Sequence, residues 1–287
     1  MMKAGKCRLT GDHGIYLKSH LIPAALTRSE KGVPFIEAGN GLPPKRSWNS
    51  WYDKELVIQK GERILTNHDT WAIEFMRKHR LVWSGWGEAN VLEPSPLADA
   101  SVTMVDRERG HEIHFVKAVD SQALRLFFMS LLWRPAATGR PEFAEVSLPF
   151  ADLERLRRIM VNEEADSFHF YPVVLTQLST RGPFHNQTPI KTLQQHRFVG
   201  GPANLEVFRF YFDGLIAHIY LPTDNPEAIA TLGSICLGNG KNELIVTAIE
   251  FNKSFQFDNM QKLIAETHAL WPEKAVRLLD ADGMRSL

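Results

Sequence analysis

The stretch Cys7-Arg8-Leu9-Thr10-Gly11-Asp12-His13-Gly14-Ile15-Tyr16-Leu17-Lys18-Ser19-His20-Leu21-Ile22-Pro23 decides how the first third of the chain is read. Ile15 and Leu17 alternate with Tyr16 and Lys18, the period of a strand with one buried face, and Asp12-His13-Gly14 has the chemistry of a tight turn. A β-hairpin is therefore expected over residues 5–18, with a short helix from Leu21 to Arg28. Between them Ser19 and His20 bring a hydroxyl and an imidazole to a junction of two elements.

Outward from this stretch, the composition sets limits. With 287 residues, 44% of them hydrophobic, the chain can bury one large core or two modest ones. Lysine plus arginine number 33 and aspartate plus glutamate 33, so no broad cationic coat exists. Sequence-independent binding to a polyanion grows with each basic contact, and zero net charge leaves room only for a local basic patch. Cys7 and Cys236 are the two cysteines. With no disulfide framework and no signal peptide in view, a reducing cytoplasm is the expected compartment. No run of about 18 apolar residues is present, so no membrane-spanning helix and no membrane partner are expected.

Ser29 to Ser50 is rich in glycine and proline and reads as one long loop. Lys45, Arg46, Trp48, Trp51 and Tyr52 follow within eight positions. Cations interleaved with aromatics suit phosphate contact and base stacking, which makes Lys45, Arg46, Trp48 and Trp51 candidate nucleic-acid-binding residues. The competing reading makes both tryptophans core anchors. Glu55 to Leu65 is expected as a strand pair turning at Lys60-Gly61, and Asp69 to His79 as a helix with Asp69 at its N-cap. Glu93-Pro94-Ser95-Pro96 is the natural linker, dividing the chain into residues 1–93 and 97–287.

The second region predicts a hairpin of Ser101–Val105 with Glu112–Val116, then a helix from Ser121 to Arg134 capped by Asp120 and stopped by Pro135. That helix is apolar nearly all round and belongs inside a core. An amphipathic helix over Phe150–Asn162, a strand over Phe168–Leu178 and a loop over Thr180–Gln195 follow. Leu205–Phe212 and Leu215–Leu221 flank Asp213-Gly214, a strong hairpin signal. A strand over Leu244–Phe251 and a helix over Phe257–Trp271 complete the order. The fold class is α+β, with a mixed, largely antiparallel sheet. His111 and His114, three apart on a strand, fall on opposite faces and suit turn and strand roles better than metal ligation. His169 is expected on a solvent-facing strand position, and His185 and His196 in the loop. Arg134, beside a buried tryptophan, is expected to meet a carboxylate or stack on a ring.

Several of these residues carry a resemblance. Cys7 with Ser19-His20-Leu21-Ile22-Pro23 resembles the opening of HNH (ββα-metal) nucleases, in which a Cys-x-x-Cys turn leads through a hairpin into a His-bearing step. Leu126-Phe127-Phe128-Met129-Ser130-Leu131-Leu132-Trp133-Arg134 and Glu142–Leu148 resemble the downstream region of bacterial proteins of that kind. The resemblance spans about residues 5 to 220 and implies a degenerate ββα module ahead of the α+β region. Thr10, Thr66 and Asp69 stand where zinc thiolates belong, so no structural zinc is expected. His20 matches the general base, and Asn67 and His68 are candidates for the later catalytic pair. A Mg²⁺ or Mn²⁺ ion at the degenerate site, a nucleic-acid partner and a role in defence against phage or plasmids are what the resemblance implies. The alternatives left open are a non-catalytic scaffold for a protein partner and a small-ligand module; the oligomeric state is not legible.

Overall fold

The computed structural model describes residues 3–27, 35–39, 42–48, 50–93, 100–106, 111–117, 119–164, 166–198, 201–273 and 275. Strand β1 (Ala4–Lys6) pairs antiparallel with β2 (His13–Ile15), as the opening stretch predicts. The turn lies earlier than expected. Gly11 takes φ +78° and its amide donates to the Cys7 carbonyl at 2.9 Å, while His13 and Gly14 sit in the ladder opposite Lys6 and Gly5. Closure needs one residue in the left-handed region, and Gly11 supplies it without a Cβ penalty. Strand β3 (Ser19–His20) follows. The helix expected after it is one 3-10 turn, Ala24–Leu26, and Arg28 lies outside the described residues.

The long loop is corrected too. Its described residues form a hairpin of β4 (Phe35–Gly39) and β5 (Leu42–Ser47). Pro43 and Pro44 fit there because β5 has a neighbour on one side only, where missing amides leave no ladder bond unmade. Strand β6 (Tyr52–Asp53) pairs with β3.

The expected strand pair at residues 55–65 is instead the start of α1 (Gln59–Lys78), a helix of 20 residues. Leu65, Ala72, Ile73 and Met76 bury one face. Gly61 is the contact point with the hairpin turn, since a Cβ there would lie 2.9 Å from the Cys7 sulfur. Asp69 is therefore a mid-helix residue and not an N-cap.

In the second region β7 (Ala100–Asp106) and β8 (His111–Lys117) pair as expected, their turn lying outside the described residues. Helix α2 (Ser121–Ala137) is capped by Asp120, whose carboxylate accepts from the Ala123 amide at 2.9 Å. Pro135 lies inside the last turn and does not end the helix, which closes with the Thr138 amide donating to the Arg134 carbonyl at 3.0 Å. Helix α3 (Phe150–Asn162) has the expected bounds. Strand β9 (Val173–Leu178) starts later than predicted because the carbonyls of Ser167, Phe170 and Tyr171 turn toward the buried Arg125 guanidinium. The expected loop at 180–195 holds two strands, β10 (His185–Gln187) and the start of β11 (Ile190–Phe198).

Strands β12 (Gly201–Phe212) and β13 (Leu215–Tyr220) form the predicted hairpin, with Asp213 at φ +47° and Gly214 at φ +78°. Helix α4 (Pro226–Ile235), strand β14 (Glu243–Ile249) and helix α5 (Phe255–Leu270) follow among the described residues. Seven strands form one sheet in the order β11-β12-β13-β9-β14-β8-β7, antiparallel except for β9 with β14. The α+β class follows.

Helix α2 lies at the centre of the largest buried cluster. Phe127, Phe128, Leu131, Leu132 and Trp133 meet Leu9, Leu21, Ile22 and Trp51 from the first region and Phe212 and Leu215 from the sheet. Each such side chain, fully buried, contributes about 1.5–3 kcal/mol. This packing holds the step at His20 against the helix pair α1 and α2.

Candidate functional site

His20 is placed by short-range structure. Its strand pairs with β6 so that His20 lies opposite Tyr52, and the next amide, Leu21, donates to the Trp51 carbonyl at 3.0 Å. Leu21 and Ile22 are fully buried and anchor the step from below. The imidazole meets the Tyr52 ring edge-on at 6.2 Å.

Facing it is one side of α1. Glu62, Thr66, Asp69, Thr70 and Ile73 recur at helical spacing, and with His20 they line a cavity of about 350 Å³. Arg134, reaching across from α2, is 1% exposed and forms the cavity's back wall. Its Nη1 donates to Asp69 Oδ2 at 3.0 Å and to the His20 carbonyl at 3.3 Å. Its Nη2 donates to Asp69 Oδ1 at 2.5 Å and to Ser130 Oγ at 3.1 Å. Such a two-pronged pairing matches the fork of the guanidinium to the carboxylate. The expectation that Arg134 meets a carboxylate is thereby met by Asp69. Burial raises the Glu62 carboxyl above its ordinary range, opposed by the Ser19 hydroxyl and the Arg134 charge. One cavity thus holds an imidazole, a carboxyl whose pKa burial raises, and a fixed ion pair.

Asn67 and His68 are not part of it. Each helical residue turns about 100°, so the positions between Thr66 and Asp69 point elsewhere. Asn67 is exposed, and His68 faces α3, hydrogen bonding the Met160 backbone, with burial lowering its pKa. Three candidates of the sequence are thus separated, His20 from the other two. The positions that the resemblance assigns to zinc thiolates do not gather either. Cys7 and Thr10 line a second cavity with Trp133 and Arg157, whereas Thr66 and Asp69 line the His20 cavity. Both oxygens of Asp69 are held by Arg134, and among the described residues no cluster of three histidines, cysteines or carboxylates is arranged to hold a metal ion. The donor set does not fit Mg²⁺ or Mn²⁺.

The basic and aromatic candidates divide. Trp51 is 2% exposed and packs edge-on against Phe143 at 5.6 Å, which is the core-anchor role. Trp48 is 64% exposed, and Arg46 is exposed on β5. Lys45 leans on the buried Glu37 carboxylate at 3.3 Å. Sequence reasoning passed over a tighter group. Lys18 Nζ lies 4.0 Å from the centroid of the Tyr52 ring and Lys54 Nζ 5.8 Å, so two exposed ammonium groups flank the aromatic ring opposite His20. Their place beside the imidazole depends on the β3–β6 pairing, which sequence spacing does not reveal. Glu62 was also missed; its spacing to Thr66 and Asp69 carries meaning only once α1 is known to begin at Gln59.

The remaining histidines have local roles. His114 Nε2 lies 3.0 Å from Glu112 on β8, and His169 is exposed in a turn, not on a strand. His185 is buried on β10, its Nδ1 donating to the Pro183 carbonyl at 2.7 Å and its ring stacked on Tyr211. Comparison with known proteins finds no matching family model, no matching curated protein and no matching solved structure.

Proposed function

We propose that this chain is an HNH-derived protein that binds nucleic acid at the His20 face without metal-dependent hydrolysis. The observation that carries the reading is the strip Lys18-Tyr52-Lys54 on the strands that hold His20. Two exposed ammonium groups beside the half-buried Tyr52 ring suit contacts to the phosphates of a strand laid across it. The exposed Arg46 and Trp48, a few residues upstream of Tyr52, extend the same chemistry along the chain. Zero net charge confines the contact to this strip, so binding is local, with a salt slope of only about 2 to 3. Asp69, paired at both oxygens with the Arg134 guanidinium, has its charge already neutralised, which supports binding over metal-dependent cleavage.

The test is a titration of labelled single-stranded and duplex oligonucleotides at several salt concentrations. Wild type is expected to bind saturably, and Lys18→Ala with Lys54→Ala to lower the salt slope by about 1 to 2. No cleavage of DNA or RNA is expected from wild type or His20→Ala in Mg²⁺ or Mn²⁺. Absence of saturable binding, or a slope that the double variant leaves unchanged, sinks the proposal; cleavage lost in His20→Ala restores the nuclease reading.

A further inference from the structure

The sheet face covered by α4 and α5 carries a polar belt with no role in the His20 site. Along β12, Leu205 and Val207 join one apolar cluster with Tyr220, Ala228 and Leu232. Farther along the same face, Tyr211 joins another with Ile216, Trp83 and Phe251. Between the two clusters lie Arg209 and His218, directly opposite each other in the β12–β13 ladder. Arg209 is 7% exposed and His218 4%.

The other deeply buried arginines each make several hydrogen bonds, although Arg125 and Arg134 also keep a sealed Nε without a partner. Arg134 holds Asp69, and Arg125 donates to three main-chain carbonyls. Arg209 differs. Among the described residues its guanidinium makes no hydrogen bond, its Nε being sealed without a partner, and His218 Nε2 opposite is sealed and unpartnered as well. Among the described residues no carboxylate pairs with the Arg209 guanidinium; its neighbours are the Phe255 ring, with Cζ 4.7 Å from the centroid, and His218. The Tyr220 hydroxyl, hydrogen bonded to His196 at 3.0 Å and to Gln194 at 2.8 Å, borders the belt. Burial and the Arg209 charge hold His218 neutral, its pKa down at about 3. A desolvated cation with neither counter-charge nor hydrogen bond is costly, and an anion bound beside it would offset that cost.

We propose that this belt binds a phosphate-class oxyanion, Arg209 supplying the charge and His218 a neutral hydrogen-bonding partner. The guanidinium only donates, whereas a neutral imidazole has one donating and one accepting nitrogen. Hydrogen phosphate both accepts and donates, so it satisfies the guanidinium and either imidazole nitrogen at once. A carboxylate, which only accepts, leaves an accepting imidazole nitrogen unpaired. The site lies on a different face of the fold from His20 and does not rest on the nucleic-acid reading.

The experiment uses the full chain and inorganic phosphate, followed by calorimetry and by thermal midpoint, against sodium chloride at matched ionic strength and against acetate. Phosphate is expected to bind saturably and raise the midpoint more than either control. Arg209→Gln is expected to weaken binding by about tenfold or more, the loss of a charge-assisted bond. Should Arg209→Gln fail to fold, Arg209→Lys keeps the charge, loses the fork and is expected to show a similar weakening. Displacement of phosphate by adenosine monophosphate assigns the group to a nucleotide, and lack of displacement assigns it to the free ion; both uphold the site. Phosphate that stabilises no more than chloride, acetate that binds more tightly than phosphate, or a variant with wild-type affinity overturns the proposal.

Discussion

Removing the Asp69 carboxylate exposes what holds the His20 cavity together. Asp69→Ala deletes two of the four hydrogen bonds of Arg134 and leaves a guanidinium that is 1% exposed with only the His20 carbonyl and Ser130 Oγ. Breaking a buried ion pair from one side costs about 3–5 kcal/mol, because the surviving charge stays desolvated. Asp69 keeps 19% of its side-chain exposure, so some water enters, and the two surviving bonds offset a further part. The expected loss is about 2–3 kcal/mol, read by urea unfolding and equivalent to a thermal midpoint lowered by about 3–5 °C. Arg134→Met, which loses all four bonds but leaves a partly exposed carboxylate able to reach water, is expected to cost about 2–3 kcal/mol. The double variant should be no worse than the worse single, giving a coupling of about 2 kcal/mol in the cycle. Asp69→Asn, which keeps one acceptor, should lie between wild type and Asp69→Ala. A loss below about 0.5 kcal/mol for Asp69→Ala, or two singles that simply add, would refute the clamp.

Two other expectations concern stability away from the cavity. Burial holds His185 down at about 4 and His218 at about 3, both below the ordinary histidine value. Between those values and about 6.5 the unfolded chain binds more protons than the folded one, so stability is full above about 6.5 and declines as the pH falls. Unfolding midpoints measured from pH 7 to pH 4 should fall steadily across that window and fall less in His218→Gln; a flat profile would contradict the buried neutral histidines. Gly214→Ala places a Cβ at φ +78° and 2.4 Å from the Trp83 indole, so it should lose about 2–4 kcal/mol. Wild-type stability in that variant, by the same urea assay, would show that the hairpin turn and Trp83 are not packed as described.

What was legible in the sequence was whatever neighbouring residues decide between themselves. Asp213-Gly214 marked its hairpin because both central residues must adopt positive φ, a demand met within the dipeptide. Asp120 marked the start of α2 through a bond spanning three residues, and α2 advertised its burial by having no polar side. Local signals misled where packing overrode them. Lys60-Gly61 has turn chemistry, yet it lies in α1, where the missing Cβ admits the Cys7 sulfur of a distant turn. Pro43 and Pro44 suggested a loop, yet they sit on an edge strand whose sheet is completed by β10 from far along the chain.

The candidate site divides along the same line. The sequence by itself determined that a hairpin precedes His20, that α2 belongs in the core, and that the class is α+β. Only the tertiary structure decided that Asp69 faces Arg134 from 65 residues away, that Asn67 and His68 turn off the cavity, and that Lys18 and Lys54 close on Tyr52 beside His20. The physical reason is range. Caps, turns and periodicity act over a few residues and leave their mark in adjacent letters, whereas which charge meets which is settled by how buried faces pack, and that pairing has no local signature.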